Sequence, residues 1–192
     1  MKQRIFLSLG IIFIVGGLVI CYRPVMNWWH QHDAVNSGPA VHYSVPPSAT
    51  ESNKVITGEP ATLDIPSVNI NLPVIDGFYN SQSKAWTLTL DKAQYATITP
   101  APNNQGGNTF IYGHNRWEVF YRLPKIQIGA EATITTTNHH KFIYKLSSVK
   151  TTSPNDTSLF TYKGPPMLTL QTCTGLWYQN RTLFSFQLVE AS

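Results

Sequence analysis

The chain has 192 residues and a net charge of +4, and 12% of its residues are charged. This length suits one domain with an appendage. Because its 14 Lys and Arg residues form no basic run, we expect no nucleic-acid partner.

The N-terminus contains 18 consecutive uncharged residues, at 5–22. A helix of that length spans roughly 27 Å, close to the thickness of a bilayer core. Residues 1–4 carry two positive charges, which favours a cytoplasmic N-terminus and a single-pass transmembrane anchor. A cleaved signal peptide needs small residues at its cleavage site, and the sequence offers none nearby. A lipidated Cys21 should follow a small residue, but it follows the bulky Ile20. Both alternatives are therefore disfavoured.

Residues 23–60 are polar and contain Gly38-Pro39 and Pro46-Pro47, so we interpret them as a stalk. Residues 61–192 then form an extracytoplasmic domain tethered to the cell membrane. Cys173 is the only cysteine of that domain. An odd cysteine in an exported domain either forms an intermolecular bridge or is a reactive thiol.

Beyond residue 60, short runs rich in Val, Ile, Thr, Tyr and Phe alternate with turn signals. The predicted strands are 61–65, 72–75, 87–90, 109–112, 132–136, 141–146, 168–172 and 182–189. This rhythm predicts a mainly β fold, a closed or nearly closed antiparallel barrel or a sandwich. A short helical turn is predicted at 117–123, with Val119, Phe120 and Leu123 facing inward.

The last two predicted strands bring a cysteine and an arginine together. Side chains alternate along a strand, so Cys173 and Arg181 both point away from the faces that carry the Leu and Phe residues. A seven-residue loop would join them across a hairpin. A lone cysteine is most often an inert buried residue. Here the alternation argues against burial, and a nearby positive charge favours the reactive thiolate.

Cysteine acyl transfer also needs a group that moves protons, most often histidine. No histidine follows Cys173, and we expect His139 and His140 to be solvated in a hairpin turn. His114 ends a predicted strand directly after Gly113, where a strand delivers a side chain to the rim of a barrel. The catalytic candidates are therefore His114, Cys173 and Arg181.

Several ordered motifs resemble those of the sortases, membrane-anchored cysteine transpeptidases of bacterial cell surfaces. Thr-Leu-Gln-Thr-Cys at 169–173, followed by Arg181, is similar to the sortase TLxTC and downstream arginine, and 106–114 is similar to the histidine-bearing strand. Further similarity lies at 65–74, 120–129 and 149–159. The resemblance covers most of 61–189 in order and implies a sortase-type β-barrel of about eight strands with short helices.

The resemblance implies that Cys173 forms a thioester with a C-terminal sorting motif of an exported protein. His114 would protonate the departing amine and deprotonate the incoming one, and Arg181 would stabilise the oxyanion. The implied partners are surface proteins or pilins that carry sorting signals, together with a cell-wall precursor or lysine amine as acceptor. No cofactor is implied.

Substrate-contacting residues are expected beside the catalytic set. These candidates are Thr172, Trp177, Tyr178 and Asn115. The two aromatic residues could equally pack on their own barrel. Residues 151–166 are the expected wall for the sorting motif, and no acidic cluster has the spacing of a calcium site, so we expect no metal.

Two departures leave the sortase subclass unassigned. Asn115 follows the histidine where many relatives carry arginine, and Ala130 stands where an aspartate commonly follows glycine.

Two alternative functions stay open. One is a membrane-tethered β-barrel binding module without catalysis, in which Cys173 is structural. The other is an L,D-transpeptidase-like enzyme acting on peptidoglycan, which is disfavoured because Gln171-Thr172 stands where a histidine is expected.

Overall fold

The computed structural model describes residues 54–82 and 85–192. The predicted cytoplasmic residues 1–4, the predicted anchor at 5–22 and most of the predicted stalk at 23–60 lie outside the described residues. Searched for membrane spans, the described part of the chain contains no helix of sufficient length and hydrophobicity.

Ten strands and three short 3₁₀ helices make up the regular structure of the described residues. The strands are Pro60–Ile65 (β1), Ile70–Gly77 (β2), Tyr79–Asn80 (β3), Ala85–Trp86 (β4), Ala93–Ala96 (β5), Asn108–Gly113 (β6), Glu131–Thr136 (β7), Lys141–Thr152 (β8), Met167–Thr174 (β9) and Asn180–Ala191 (β10). The 3₁₀ helices are Pro66–Val68, Leu123–Lys125 and Ser158–Thr161.

Eight of these strands close into a barrel in the order β1-β2-β5-β6-β9-β10-β8-β7, which confirms the predicted mainly β, closed barrel. The two long C-terminal strands show how the sequence builds it. Phe184, Phe186 and Leu188 recur with a period of two on β10, and all three are buried in the main core. The two-residue strands β3 and β4 pair with each other as a separate small sheet.

The predicted strand at 87–90 is wrong, and β5 was missed. The side chain of Gln94 holds the segment 87–90, because its Oε1 accepts the Thr89 backbone N–H at 3.1 Å and its Nε2 donates to Thr87 Oγ1 at 3.2 Å. The segment 87–90 is therefore held by a buried amide rather than by a strand ladder. Ala93–Ala96, although poor in β-branched residues, takes its place in the barrel.

The sequence pattern predicts an antiparallel barrel, and this part of the prediction is wrong because two of the strand pairs are parallel. In the described barrel β2 pairs with β5 and β6 pairs with β9 in parallel. Parallel neighbours need long connections, which here are 78–92 and 114–166. Because β6 and β9 run in the same direction, the end of β6 that leads to His114 and the end of β9 that carries Cys173 lie at the same rim of the barrel.

The predicted helical turn at 117–123 is a run of turns that passes into the 3₁₀ helix Leu123–Lys125. Its inward stripe is confirmed, because Val119, Phe120 and Leu123 are all buried. This segment covers the interior of the barrel next to His114.

Candidate active site

Cys173 and Arg181 are direct neighbours across the hairpin of β9 and β10. They are register partners in the antiparallel ladder, and the pair Thr174–Asn180 extends the ladder by one more step. The loop is therefore five residues, 175–179, rather than the predicted seven. Gly175 begins it at φ +90°, a conformation that favours glycine.

The predicted alternation of faces on β9 is confirmed except at Thr169. Leu168, Leu170 and Thr172 are buried inside the barrel, whereas Cys173 is only partly buried. Thr169, on the same face as Cys173, is completely buried, and its hydroxyl donates to Asn108 Oδ1 at 2.9 Å. On β10 the outward residue Leu183 is nevertheless buried, because it joins a second apolar cluster on the outer surface of the barrel. The sulfur therefore lies outside the main core, as predicted.

His114 follows β6 at the same rim. Gly113 is the register partner of Thr172, and Thr172 Oγ1 donates to the Gly113 carbonyl at 3.1 Å. A Cβ on Gly113 would lie 2.7 Å from a Val119 methyl group, so glycine lets the following turn pack against the strand. The Phe120 N–H donates to the His114 carbonyl at 3.1 Å and fixes the backbone there.

These strands place the three predicted catalytic residues at one end of three adjacent strands. β9 carries Cys173 and lies between β6, which leads to His114, and β10, which carries Arg181. Adjacent strands are about 4.8 Å apart. The arrangement can therefore serve nucleophilic catalysis with a proton carrier on one side of the sulfur and a cation on the other.

Burial keeps both titrating groups neutral. It raises the pKa of the Cys173 thiol, and the Arg181 guanidinium opposes that rise. Burial lowers the pKa of His114, and the charge of Arg116 lowers it further. Near neutral pH the main form is therefore a thiol beside a neutral imidazole, and the thiolate–imidazolium pair is a minor population.

Arg181 also organises the hairpin loop. Its Nη1 donates to the Tyr178 and Asn180 carbonyls, each at 3.0 Å. The guanidinium lines the groove described below together with Cys173. A single side chain thus connects the loop, the thiol and the groove.

The other predicted substrate contacts are placed differently. Thr172 is 1% exposed and bonded inside the barrel, so its placement does not support a contact with substrate. Asn115 is also buried, and its Oδ1 has no hydrogen-bond partner among the described residues. Trp177 and Tyr178 are exposed at the tip of the loop, and neither lines the groove.

A groove of about 740 Å³ ends at Cys173 and Arg181. Its floor includes Phe110 and Tyr112 of β6, and the small β3–β4 sheet contributes to its lining. The lining residues are Tyr79, Ala85, Trp86, Leu88, Ile98, Phe110, Tyr112, Gly113, Pro154, Asn155, Thr157, Phe160, Gln171, Cys173 and Arg181. Four of them lie within the predicted wall at 151–166, which therefore borders the groove.

Sequence analysis missed Trp86, the aromatic residue that connects the β3–β4 side of the groove with the wall at 151–166. Trp86 on β4 makes edge-to-face contacts with Tyr79, Tyr112 and Phe160, with ring centroids 5.3–5.7 Å apart. Phe160 in turn contacts Phe110 at 4.6 Å. The sequence shows only a Trp between Ala85 and Thr87, which does not by itself predict a binding site.

The family model described as a sortase domain matches residues 63–189. Sortase E1 from Streptomyces coelicolor is 25% identical, with a TM-score of 0.57 over 70% of this chain and 90% of that one. A Clostridium perfringens sortase D5 is 24% identical, with a TM-score of 0.55 over 78% and 91%. Sortase C1 from Streptococcus agalactiae is 22% identical, with a TM-score of 0.56 over 88% and 90%.

No curated protein matches the chain. The family model nevertheless covers well over half of the sequence, and the closed barrel has the sortase fold. Together with the thiol, imidazole and guanidinium at one rim, this match shows that the chain belongs to the sortase family of cysteine transpeptidases.

Proposed function

We propose that this sortase cleaves a C-terminal sorting motif of an exported protein and transfers the acyl part to an amine. The observation that carries the proposal is the register that pairs Cys173 with Arg181 and brings the end of β6, before His114, beside β9.

The first half of the reaction forms a thioester. The Cys173 thiolate attacks the carbonyl carbon of the scissile peptide bond, and Arg181 stabilises the negative charge that develops on the oxygen. The carbon–nitrogen bond then breaks, and the His114 imidazolium gives its proton to the leaving amine.

The second half releases the thioester to a new amine. Neutral His114 takes a proton from the incoming amine, whose nitrogen attacks the thioester carbon. The carbon–sulfur bond breaks and the Cys173 thiolate is restored. The acceptor is the amine of a cell-wall precursor or of a pilin lysine.

The groove is the binding site for the peptide on the acyl side of the scissile bond. Its aromatic lining favours a sorting motif with a large apolar side chain, because rings such as Trp86 and Phe160 bury apolar surface efficiently. The structure of sortase E1 from Streptomyces coelicolor with a tripeptide in its active site supports a peptide occupant of this groove.

The substrates are surface proteins or pilins with sorting signals, and residues 5–22 anchor the enzyme in the cell membrane with its barrel outside. Membership of the sortase family disfavours both the binding module without catalysis and the L,D-transpeptidase.

Thioester formation tests the proposed function. The full chain is incubated with a library of labelled sorting pentapeptides, and covalent adducts are detected by mass spectrometry. Cys173→Ala should abolish the adduct because it removes the nucleophile. Cys21→Ala removes the other cysteine of the chain and should leave the adduct unchanged. An adduct that persists in Cys173→Ala, or turnover by that variant, contradicts the proposal.

Cys173→Ala also tests the location of the barrel. A membrane-impermeant maleimide added to intact cells should label Cys173, and Cys173→Ala should remove that label. Labelling that occurs only after the cells are lysed would place the barrel inside and contradict an extracytoplasmic sortase.

A further inference from the structure

Asn108 is a completely buried amide at the start of β6, and both ends of its side chain are used. Its Nδ2 donates to the Leu159 carbonyl at 2.9 Å, and its Oδ1 accepts the Thr169 hydroxyl at 2.9 Å. The orientation of the amide follows from this network, because the Leu159 carbonyl can only accept. The Thr169 hydroxyl therefore keeps the NH₂ group turned toward Leu159.

The carbonyl that Asn108 holds belongs to the wall of the groove. Leu159 and Phe160 lie in the 3₁₀ helix Ser158–Thr161, which has no strand ladder to fix it. Phe160 follows Leu159 directly and packs against Phe110 and Trp86 on the floor and opposite wall. A bond at one residue thus sets the position of the next residue's ring.

Asn108 is not among the residues that line the groove, and it lies six residues before His114. It can affect a bound peptide through the wall, without contact to the peptide or to the thiol. Its neighbour Gly107 strengthens the same link, because the Gly107 N–H donates to the Gly164 carbonyl at 2.9 Å at the other end of this segment.

We propose that Asn108 is a positioning residue for substrate, which holds the Phe160 wall so that the groove fits the apolar part of the sorting peptide. This inference rests on the proposed function. An amide is the side chain that the place requires, because it must accept from Thr169 and donate to Leu159 at once. Loss of either bond leaves a buried polar group unpaired and releases the wall.

Two variants break the hydrogen-bond network at different points, and a third keeps it as the matched control. Asn108→Ala removes the donor, and Thr169→Val removes the hydroxyl that orients the amide while keeping its volume. Thr169→Ser keeps the hydroxyl and should behave like the parent chain. We expect the first two to raise KM for the peptide roughly tenfold, the effect of one buried hydrogen bond, with kcat and the alkylation rate of Cys173 by iodoacetamide within about twofold of the parent.

A double-mutant cycle tests whether the effect passes through Phe160. Phe160→Ala alone should raise KM, and adding Thr169→Val to it should raise KM little further, because the ring that the network positions is already gone. Independent, multiplying effects on KM would overturn the inference. A parallel loss of kcat, thiol alkylation and global stability would overturn it too, since it would show a general structural role.

Hydrogen exchange of the peptide-free full chain separates this inference from the proposed function. Amides of 158–164 should exchange faster in Thr169→Val than in Thr169→Ser, with no change in β1 and β2. Unchanged exchange in that segment refutes the positioning role, even if no sorting peptide reacts with the parent chain. Faster exchange together with an unreactive parent chain would instead leave the wall anchor standing and reject the proposed substrate.

Discussion

The reactivity of Cys173 depends on two opposing effects at a single residue. Burial raises the pKa of its thiol, and the positive charge of Arg181, its partner across the ladder, lowers it. Because burial has the larger effect, the net pKa lies above the ordinary value of a cysteine. Arg181 therefore increases the thiolate fraction without making the thiolate the main form.

Replacing Arg181 should make the thiol harder to ionise. In Arg181→Gln the opposing charge is absent, so the midpoint of iodoacetamide alkylation against pH should move to higher pH than in the parent chain. Arg181→Lys keeps the charge and should move the midpoint less. A midpoint that stays in place or moves to lower pH in Arg181→Gln would show that the guanidinium does not act on the sulfur.

At the residue scale, the alternation of side chains along a strand predicted which face each residue of the last hairpin occupies. Cys173 and Arg181 share an outward face because their strands alternate simply, and the structure confirms that face. Asn108 and Trp86 were missed for a physical reason. Their partners, Leu159 and Phe160, lie 51 and 74 residues away along the chain, and no local pattern encodes those contacts.

Among the elements, the wall of the groove has a second anchor at Asp156. Its carboxylate accepts bonds from the Ser158 hydroxyl at 2.6 Å, the Thr152 hydroxyl at 2.7 Å and the Ser158 N–H at 3.0 Å. Lys150 Nζ lies 3.6 Å away. These hydrogen bonds, with a smaller contribution from Lys150, hold the pKa of Asp156 well below its usual range.

A depressed carboxyl pKa makes this anchor depend on pH. Its contribution to stability is complete above the unfolded pKa of about 3.9 and is lost as pH falls toward the lower folded pKa. Asp156→Asn should therefore lower the free energy of unfolding by about 1–2 kcal/mol at pH 7, the worth of charge-assisted hydrogen bonds. The difference from the parent chain should shrink as pH falls below about 3.9, as measured by urea unfolding.

Asp91→Asn is the matched control for this element. The Asp91 side chain is 65% exposed and pairs only with its exposed neighbour Lys92 among the ion pairs of the described residues. Its replacement should change the free energy of unfolding by less than about 0.5 kcal/mol at either pH. Equal effects of the two substitutions would mean that Asp156 does not anchor the wall.

Element boundaries were predictable where hydrophobic periodicity was strong. β1, β2 and the four strands from β7 to β10 overlap their predicted runs, and β6 does so as well. The sequence did not reveal that 87–90 lies outside the barrel and that β5 lies in it. The segment 87–90 is held by hydrogen bonds to the side chain of Gln94 and not by strand pairing. A propensity pattern does not show which segment a buried amide will capture.

For the whole molecule, stability rests on the sealed interior of the barrel. Phe186 is completely buried in the main core, and its register partners are Leu168 on β9 and Leu146 on β8. Phe186→Ala should lower the free energy of unfolding by about 3–5 kcal/mol, through lost burial and the cavity left behind. Urea unfolding with an unchanged m-value measures this loss.

Glu190→Ala on the same strand is the comparison for Phe186. Its side chain is exposed, and its replacement should change the free energy of unfolding by less than about 0.5 kcal/mol. Similar losses in both variants would mean that β10 contributes as an exposed ribbon rather than as a wall of a packed interior.

Seven of the eight barrel strands could be predicted from the spacing of the runs, but β5 and the strand directions could not. The described part of the connection 78–92 holds only the two-residue strands β3 and β4, and 114–166 holds β7 and β8. Neither described connection contains the long crossover helix that usually accompanies a parallel pair, so the parallel return of β5 and β9 was not predictable. The parallel pairing of β6 with β9 nevertheless decides that the imidazole and the sulfur reach one rim.

Closure of the barrel limits how an exported protein can be recognised. Within residues 54–82 and 85–192, each of the eight barrel strands has a neighbour on both sides, so a client cannot dock by adding a strand of its own to that sheet. Recognition falls to side chains on the connecting segments that surround the rim. Those segments could therefore diverge to accept new clients while the chemistry beneath them stayed the same.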